Sequence, residues 1–373
     1  VSDRFCVSTR KGLFTVTRGA GGRWAVTGDA FVGDNVTLSR HDPRSGTFYA
    51  ALSHGHFGVK LQRSRDGGAT WEECGVPEYP ERPADAKDVN PMTNEPLPWT
   101  LKLVWALAPA HADDSPDALW CGTIPGGLFR SEDAGASWSL VESLWYDDRR
   151  FGWFGGGADQ PGIHSICVHP TEKDTLTLGV SCGGVWRTTD GGRTWDVRAD
   201  GMRAAYMPPD KAHDPLVQDP HMVVQCGAAP DHFWAQHHNG IFRSTDGCAS
   251  WSEIEEAGPS TFGFGVAVHP ERPDTAWFVP AIKDEKRIPV DGRLVVTRTR
   301  DGGRSFDVLT GGLPQEHAYD LVFRHALAID DGGDRLAFGS TTGSVFVTED
   351  QGDSWQRVST HLPPVYAVEF LPD

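Results

Sequence analysis

Short apolar runs recur along the whole chain, separated by clusters of glycine, proline, aspartate and serine. Many alternate apolar with polar positions, the period of a half-buried strand. One stretch shows a complete set of four: Ile163–Val168, Thr175–Val180, Val185–Thr188 and Thr194–Val197. Runs equivalent to the third of these appear at Gly127–Arg130, Gly184–Arg187, Gly240–Arg243 and Gly343–Val347. Four short strands per unit, joined by tight turns, predict the blade of a β-propeller. No apolar run reaches eighteen residues, so no membrane-spanning helix is predicted.

An eight-residue motif fixes the register of these units. It first reads Ser64, Arg65, Asp66, Gly67, Gly68, Ala69, Thr70, Trp71, and it returns at 131–138, 188–195, 244–251, 299–306 and 348–355. The shared pattern is Ser/Thr-x-Asp-x-Gly-x-Ser/Thr-Trp/Phe, with Cys248 replacing the glycine once. Its aspartates, Asp66, Asp133, Asp190, Asp246, Asp301 and Asp350, are 67, 57, 56, 55 and 49 residues apart, the spacing of one repeated supersecondary unit. The aspartate accepts hydrogen bonds from backbone N–H groups just downstream and closes a turn. The glycine supplies backbone angles that side chains resist, and the aromatic ring plugs the turn against the sheet. The Cys248 copy is expected to be the looser one.

Six such motifs in register resemble the Asp-box, or BNR-repeat, β-propellers, a group that includes sialidases, xyloglucan hydrolases, the sortilin ectodomain and a photosystem-assembly factor. The resemblance implies that the motif is structural and lies away from any active site. It covers nearly the whole chain for fold and assigns no function.

The blade count extends to seven. Phe5–Thr9, Gly12–Val16 and Arg23–Val26 supply three strands at the amino end, and Val365–Phe370 supplies one at the carboxyl end. Residues of about 1–30 and 365–373 thus share one blade and close the ring, which removes free sheet edges. The expectation is one all-β domain over 1–373, a seven-bladed propeller with its motifs on one face. Four long loops, at about 75–100, 142–162, 199–220 and 281–292, fall on the opposite face. Long loops on a rigid scaffold usually carry function.

Charge narrows the partners. The 34 Lys and Arg against 51 Asp and Glu give a net charge of −17, which argues against nucleic acid or an anionic membrane as the main partner. A small-molecule substrate is the expected partner, and the oligomeric state is not legible. Seven cysteines, an odd number without a CxxC pair, read as buried free thiols of a reducing compartment. With no basic-then-apolar leader at its start, the chain is expected to be cytoplasmic.

This topology separates the candidate side chains by face. His169-Pro170 and His269-Pro270 recur in equivalent turns and are expected to be structural. His56, His164, His221 and His237 come from the tops of three blades on the long-loop face. They are the expected ligands of one divalent transition metal, Zn, Cu, Fe or Ni. Lys102 interrupts the apolar run 101–105 on an inner strand, where a lysine needs a partner or a task. Glu316 and His317, at the last crossing, are acid–base candidates. The charged insertion 283–287 contributes Lys283 and Arg287. Arg287-Ile288-Pro289 is similar to the Arg-Ile-Pro motif of sialidases, whose arginine binds the substrate carboxylate, although there it precedes the first box and here it follows four. The run 179–183 fits GxSxG, but between two strands rather than at the strand-to-helix turn of a nucleophile elbow. Trp145, Tyr146, Phe151, Trp153, Phe154 and Tyr206 crowd two long crossings, as an apolar wall or as loop packing.

Three readings of function follow. The first is a small-molecule enzyme with a His-rich, metal-bearing centre in the funnel opposite the motifs. The second is a glycoside hydrolase, sialidase-like or xyloglucanase-like, which needs two carboxylates at a suitable separation; Asp147, Asp148, Asp159 and Asp219 are available on loops. The third is a non-enzymatic binding propeller.

Overall fold

A computed structural model describes residues 2–90, 93–155 and 160–372. The fold is an all-β, seven-bladed propeller of seven four-stranded antiparallel sheets, with only short helical turns between them. The first sheet runs Val365–Leu371, Arg4–Thr9, Gly12–Arg18, Trp24–Ala30, so the two ends of the chain share a blade. Arg4 lies opposite Leu371 and Val7 opposite Val368. No described helix is long and apolar enough to cross a membrane.

The chain divides into two compact units. The terminal unit comprises Val1–His41, Val224–Gly247 and Ser252–Asp373; the central unit comprises Asp42–Val223 and Cys248–Trp251. The terminal unit buries Phe5, Trp24, Trp277, Phe338, Trp355 and Val365 in one core. The central unit buries Trp120, Trp153, Ile163, Leu178, Trp186 and Trp195 in another. In each, a motif tryptophan joins the core, Trp355 in the first and Trp195 in the second, the latter with the alternating Leu176, Leu178 and Val180. Burial of this kind stabilises by roughly 25 cal/mol per Å² of apolar surface.

The motif closes its turn as its chemistry requires. Ser64 Oγ donates to Asp66 Oδ1 at 2.7 Å, Thr70 N–H donates to the same oxygen at 2.8 Å, and Thr70 Oγ1 donates to Oδ2 at 2.6 Å. Gly68 N–H donates to Ser64 Oγ at 2.8 Å. The same four bonds recur around Asp133, Asp190, Asp301 and Asp350. The hydroxyl and N–H donors of Thr70 hold the Asp66 carboxyl down to about 2, and those of Thr194 and Ser305 do the same for Asp190 and Asp301. Cys248 keeps the left-handed backbone of the glycines it replaces, at φ 65° against 93° for Gly68.

One loop is longer than the sequence suggested. The last crossing runs from Leu309 to Leu327 without a strand. Strong turn signals are spread through it, and its apolar residues do not alternate.

Candidate functional site

The last crossing and the insertion of 281–292 meet in the terminal unit. Leu294 N–H donates to Pro314 O at 3.0 Å, and Ala318 N–H donates to Gly292 O at 3.0 Å. The insertion folds on itself: Ile282 N–H donates to Ile288 O at 2.9 Å, Lys283 pairs with Glu285 at 3.3 Å, and Arg287 pairs with Asp284. The Arg287 guanidinium also lies 5.2 Å from the centre of the Phe264 ring, with the Arg324 guanidinium 5.5 Å from the same ring. Lys283 and Arg287 therefore already have partners within their own loop.

Beside this junction a groove of about 650 Å³ opens between the crossing and the strands Val345–Thr348 and Gln356–Ser359. That is the size of a small-ligand site. Leu313, Ala318 and Phe346 form its apolar side; His317, Asp320, Ser344 and Arg357 supply its polar groups. Asp320 is 7% exposed. Its Oδ1 accepts from Ser340 Oγ at 2.7 Å and from Thr342 Oγ1 at 2.5 Å. Both donors use the same oxygen, so Oδ2 is left for something else. His317 has φ 53°, an uncommon state for a side-chain-bearing residue that is often stored at functional sites. Glu316 and His317 are both exposed.

A second polar corner lies in the central unit. Asp219 Oδ1 accepts from Ser181 Oγ at 3.2 Å and from Cys182 N–H at 3.0 Å. Its Oδ2 lies 3.5 Å from His221 Nε2. All four residues are buried. The order Ser181–Asp219–His221 places the carboxylate in the middle. A serine nucleophile needs the imidazole next to its hydroxyl, so the GxSxG run does not form a triad here. Nearby, His164 Nδ1 bonds Ser165 Oγ at 2.9 Å, and its ring meets Trp105 edge-on at 5.5 Å between centroids.

The other candidates each have their own local setting. His56 is exposed on the turn Gly55–Phe57. His237 is buried at the end of Ala229–His237 in the terminal unit, and its Nδ1 accepts from Asn239 N–H at 3.1 Å. His169 and His269 fasten their turns in the same way, accepting from Glu172 N–H at 2.9 Å and Glu271 N–H at 3.0 Å. Lys102 sits just before the strand Leu103–Pro109 with its side chain exposed. With its side chain in solvent, Lys102 needs no buried counter-charge. Asp159 lies outside the described residues.

The aromatic crossings pack against each other. Arg150, 3% exposed, lies 3.9 Å from the Trp145 ring centre and 4.8 Å from that of Phe151. Asp88 Oδ2 accepts from Arg150 Nη2 at 2.8 Å and from Trp99 Nε1 at 2.6 Å. The space left there, about 20 Å³, is enough for a water molecule and no more. Two groove residues, Asp320 and Arg357, were missed by the sequence reading. Neither stands in a motif, and only the folded groove joins them.

The fold is a seven-bladed propeller, and one of its compact units carries an open groove lined by polar and apolar side chains. No family model matches the chain. A xyloglucanase from Paenibacillus sp is 26% identical over 151 residues, 37% of this chain and 13% of that protein. Among solved structures, the GH74 xyloglucanase from Xanthomonas campestris superposes with a TM-score of 0.62 at 18% identity, covering 97% of this chain and 53% of that one. YCF48 bound to D1 peptide gives a TM-score of 0.51 at 12% identity, covering 91% and 92%. The chain thus spans only a small part of the curated relative, and its likeness to the solved structures is one of fold.

Proposed function

We propose that this chain is an Asp-box propeller of the glycoside hydrolase kind, acting on a glucan-type oligosaccharide. The observation that carries the reading is the sequence match to a xyloglucanase over 151 residues, which sets it above the other functions that propellers host. The net charge of −17 agrees with an uncharged substrate rather than a polyanion. Incubation of the purified protein with xyloglucan and its oligosaccharides, followed by chromatography of the products, tests it. New reducing ends are expected; a chromatogram identical to that of the untreated sugar overturns the reading.

A second reading keeps one specific support. An imidazole nitrogen and a carboxylate oxygen stand 3.5 Å apart at His221 and Asp219, both buried. The pair belongs to a group of at least three described side chains whose ligand atoms come close enough to hold an ion. A divalent transition metal there would use neutral imidazole and ionised carboxylate, so it would leave as the pH falls. Elemental analysis of the purified protein decides this. One equivalent of metal, lost in His221→Ala, supports the reading; metal-free protein that takes up no zinc or cobalt sinks it.

A further inference from the structure

The groove of the terminal unit has a donor and acceptor pattern that selects among ligands. Arg357 makes no ion pair and no side-chain hydrogen bond among the described residues, although it lines the same space as the Asp320 carboxylate. Asp320 accepts only, through its unused Oδ2; Arg357 donates only. The Ser344 hydroxyl and the His317 imidazole can each do either. An anion entering the groove meets Asp320, and a cation meets Arg357. A hydroxyl group, which donates and accepts at once, satisfies both. The apolar side formed by Leu313, Ala318 and Phe346 suits a ring with a C–H face.

We infer that this groove is a binding subsite for a neutral sugar ring, with Asp320 and Arg357 each gripping hydroxyls of the ligand. The inference rests on the oligosaccharide reading above but names a place and a pair of residues that the reading does not supply. Ser340 and Thr342, both bonded to Oδ1, hold the Asp320 carboxylate so that Oδ2 is presented to the ligand. The left-handed backbone at His317 turns the crossing at the lip of the groove. Asp320 and Arg357 come from segments 37 residues apart in sequence, on the crossing and on the strand Gln356–Ser359. The site therefore exists only once that blade has formed.

Isothermal titration calorimetry with a xyloglucan heptasaccharide, cellotetraose and a galacturonate trimer tests the inference. The wild-type protein is expected to bind one or both neutral sugars, with little dependence on salt. Arg357→Ala removes an exposed side chain and leaves the fold alone; it should weaken binding at least tenfold. Asp320→Asn keeps an oxygen for Ser340 and Thr342 and should weaken binding similarly. Wild-type affinity in both variants, preference for the galacturonate, or no binding to any of the three overturns the groove assignment. If the variants still bind and cleave xyloglucan normally, the groove is wrong and the hydrolase reading stands. If wild-type binding depends on both residues but no sugar is cleaved, the hydrolase reading falls and the groove stands.

Discussion

Asp219 and Asp320 are two buried aspartates on crossings, and each pins a serine at the end of the second strand of a blade. Asp219 holds Ser181 Oγ and Cys182 N–H, then meets His221. Asp320 holds Ser340 Oγ and Thr342 Oγ1, then faces a groove of about 650 Å³. The first carboxylate spends both oxygens on protein partners; the second spends one. That single difference separates a carboxylate closed off by its protein partners from one that keeps an oxygen open towards a groove, the property on which the proposed subsite depends. Burial alone does not mark a functional carboxylate. In the proposed subsite, what sets Asp320 apart is the lone pair left over.

The largest test removes the support beneath the groove. The strand Val365–Leu371 pairs with Arg4–Thr9, and its Val368 N–H donates to His325 O, on the same crossing as Asp320, at 2.8 Å. Deleting residues 365–373 should abolish cooperative folding, seen as loss of a sharp thermal transition by circular dichroism. A truncated protein that melted like the full chain would refute the shared first blade. Next in size is the direct contrast between the two aspartates. Asp219→Ala strands a buried N–H and a buried hydroxyl and should cost about 3 kcal/mol in urea unfolding. Asp320→Ala should cost only about 1 kcal/mol. Ser340 Oγ keeps Thr342 Oγ1 at 2.8 Å and Ser344 N–H at 3.2 Å, and Thr342 is exposed to water. Equal costs would erase the distinction drawn between a closed and an open carboxylate.

The smallest effect belongs to the motif aspartates. Asp66, Asp190 and Asp301 are held at about 2 in the folded chain, against roughly 4 for an unfolded aspartate. A depressed carboxyl stabilises above its unfolded value, and the contribution is lost as pH falls from about 4 towards 2. Melting temperature should therefore decline over that window, with little change attributable to these groups above it. Replacing all three by asparagine should flatten the acid limb of the curve. An unchanged slope would mean that the hydroxyl and N–H donors contribute nothing net.

The fold was legible because its signal repeats. Six motifs, each with four internal hydrogen bonds or the residues for them, announce themselves through local chemistry alone. The pairing of the chain ends followed from counting strands. Of the groove proposed as a subsite, the sequence pointed to one side only. Glu316 and His317 were singled out because a crossing carried titratable groups; His317 lines the groove and Glu316 does not stand among its lining residues. Asp320 stands between Tyr319 and Leu321 with no pattern around it, and its meaning comes from hydroxyls twenty residues on. Arg357 reads as an ordinary exposed strand residue. Lys102 shows the opposite failure: an apolar neighbourhood in sequence suggested burial, yet the residue stands one position outside its strand with its side chain in solvent. Sequence reports what a residue's neighbours along the chain demand; a groove is made by neighbours across it.

The shared first blade also sets the order of events on the ribosome. Arg4 cannot meet Leu371 until hundreds of intervening residues have been made. Throughout that time the strand Arg4–Thr9 displays an unpaired edge, the kind that recruits strands from other chains. The entropic penalty for that closure grows only with the logarithm of the loop. What is slow is the wait and the search, since folding rates fall as contacts become more distant in sequence. The nascent chain thus keeps an open edge until the strand Val365–Leu371 emerges, and chaperone occupancy should matter most before that point.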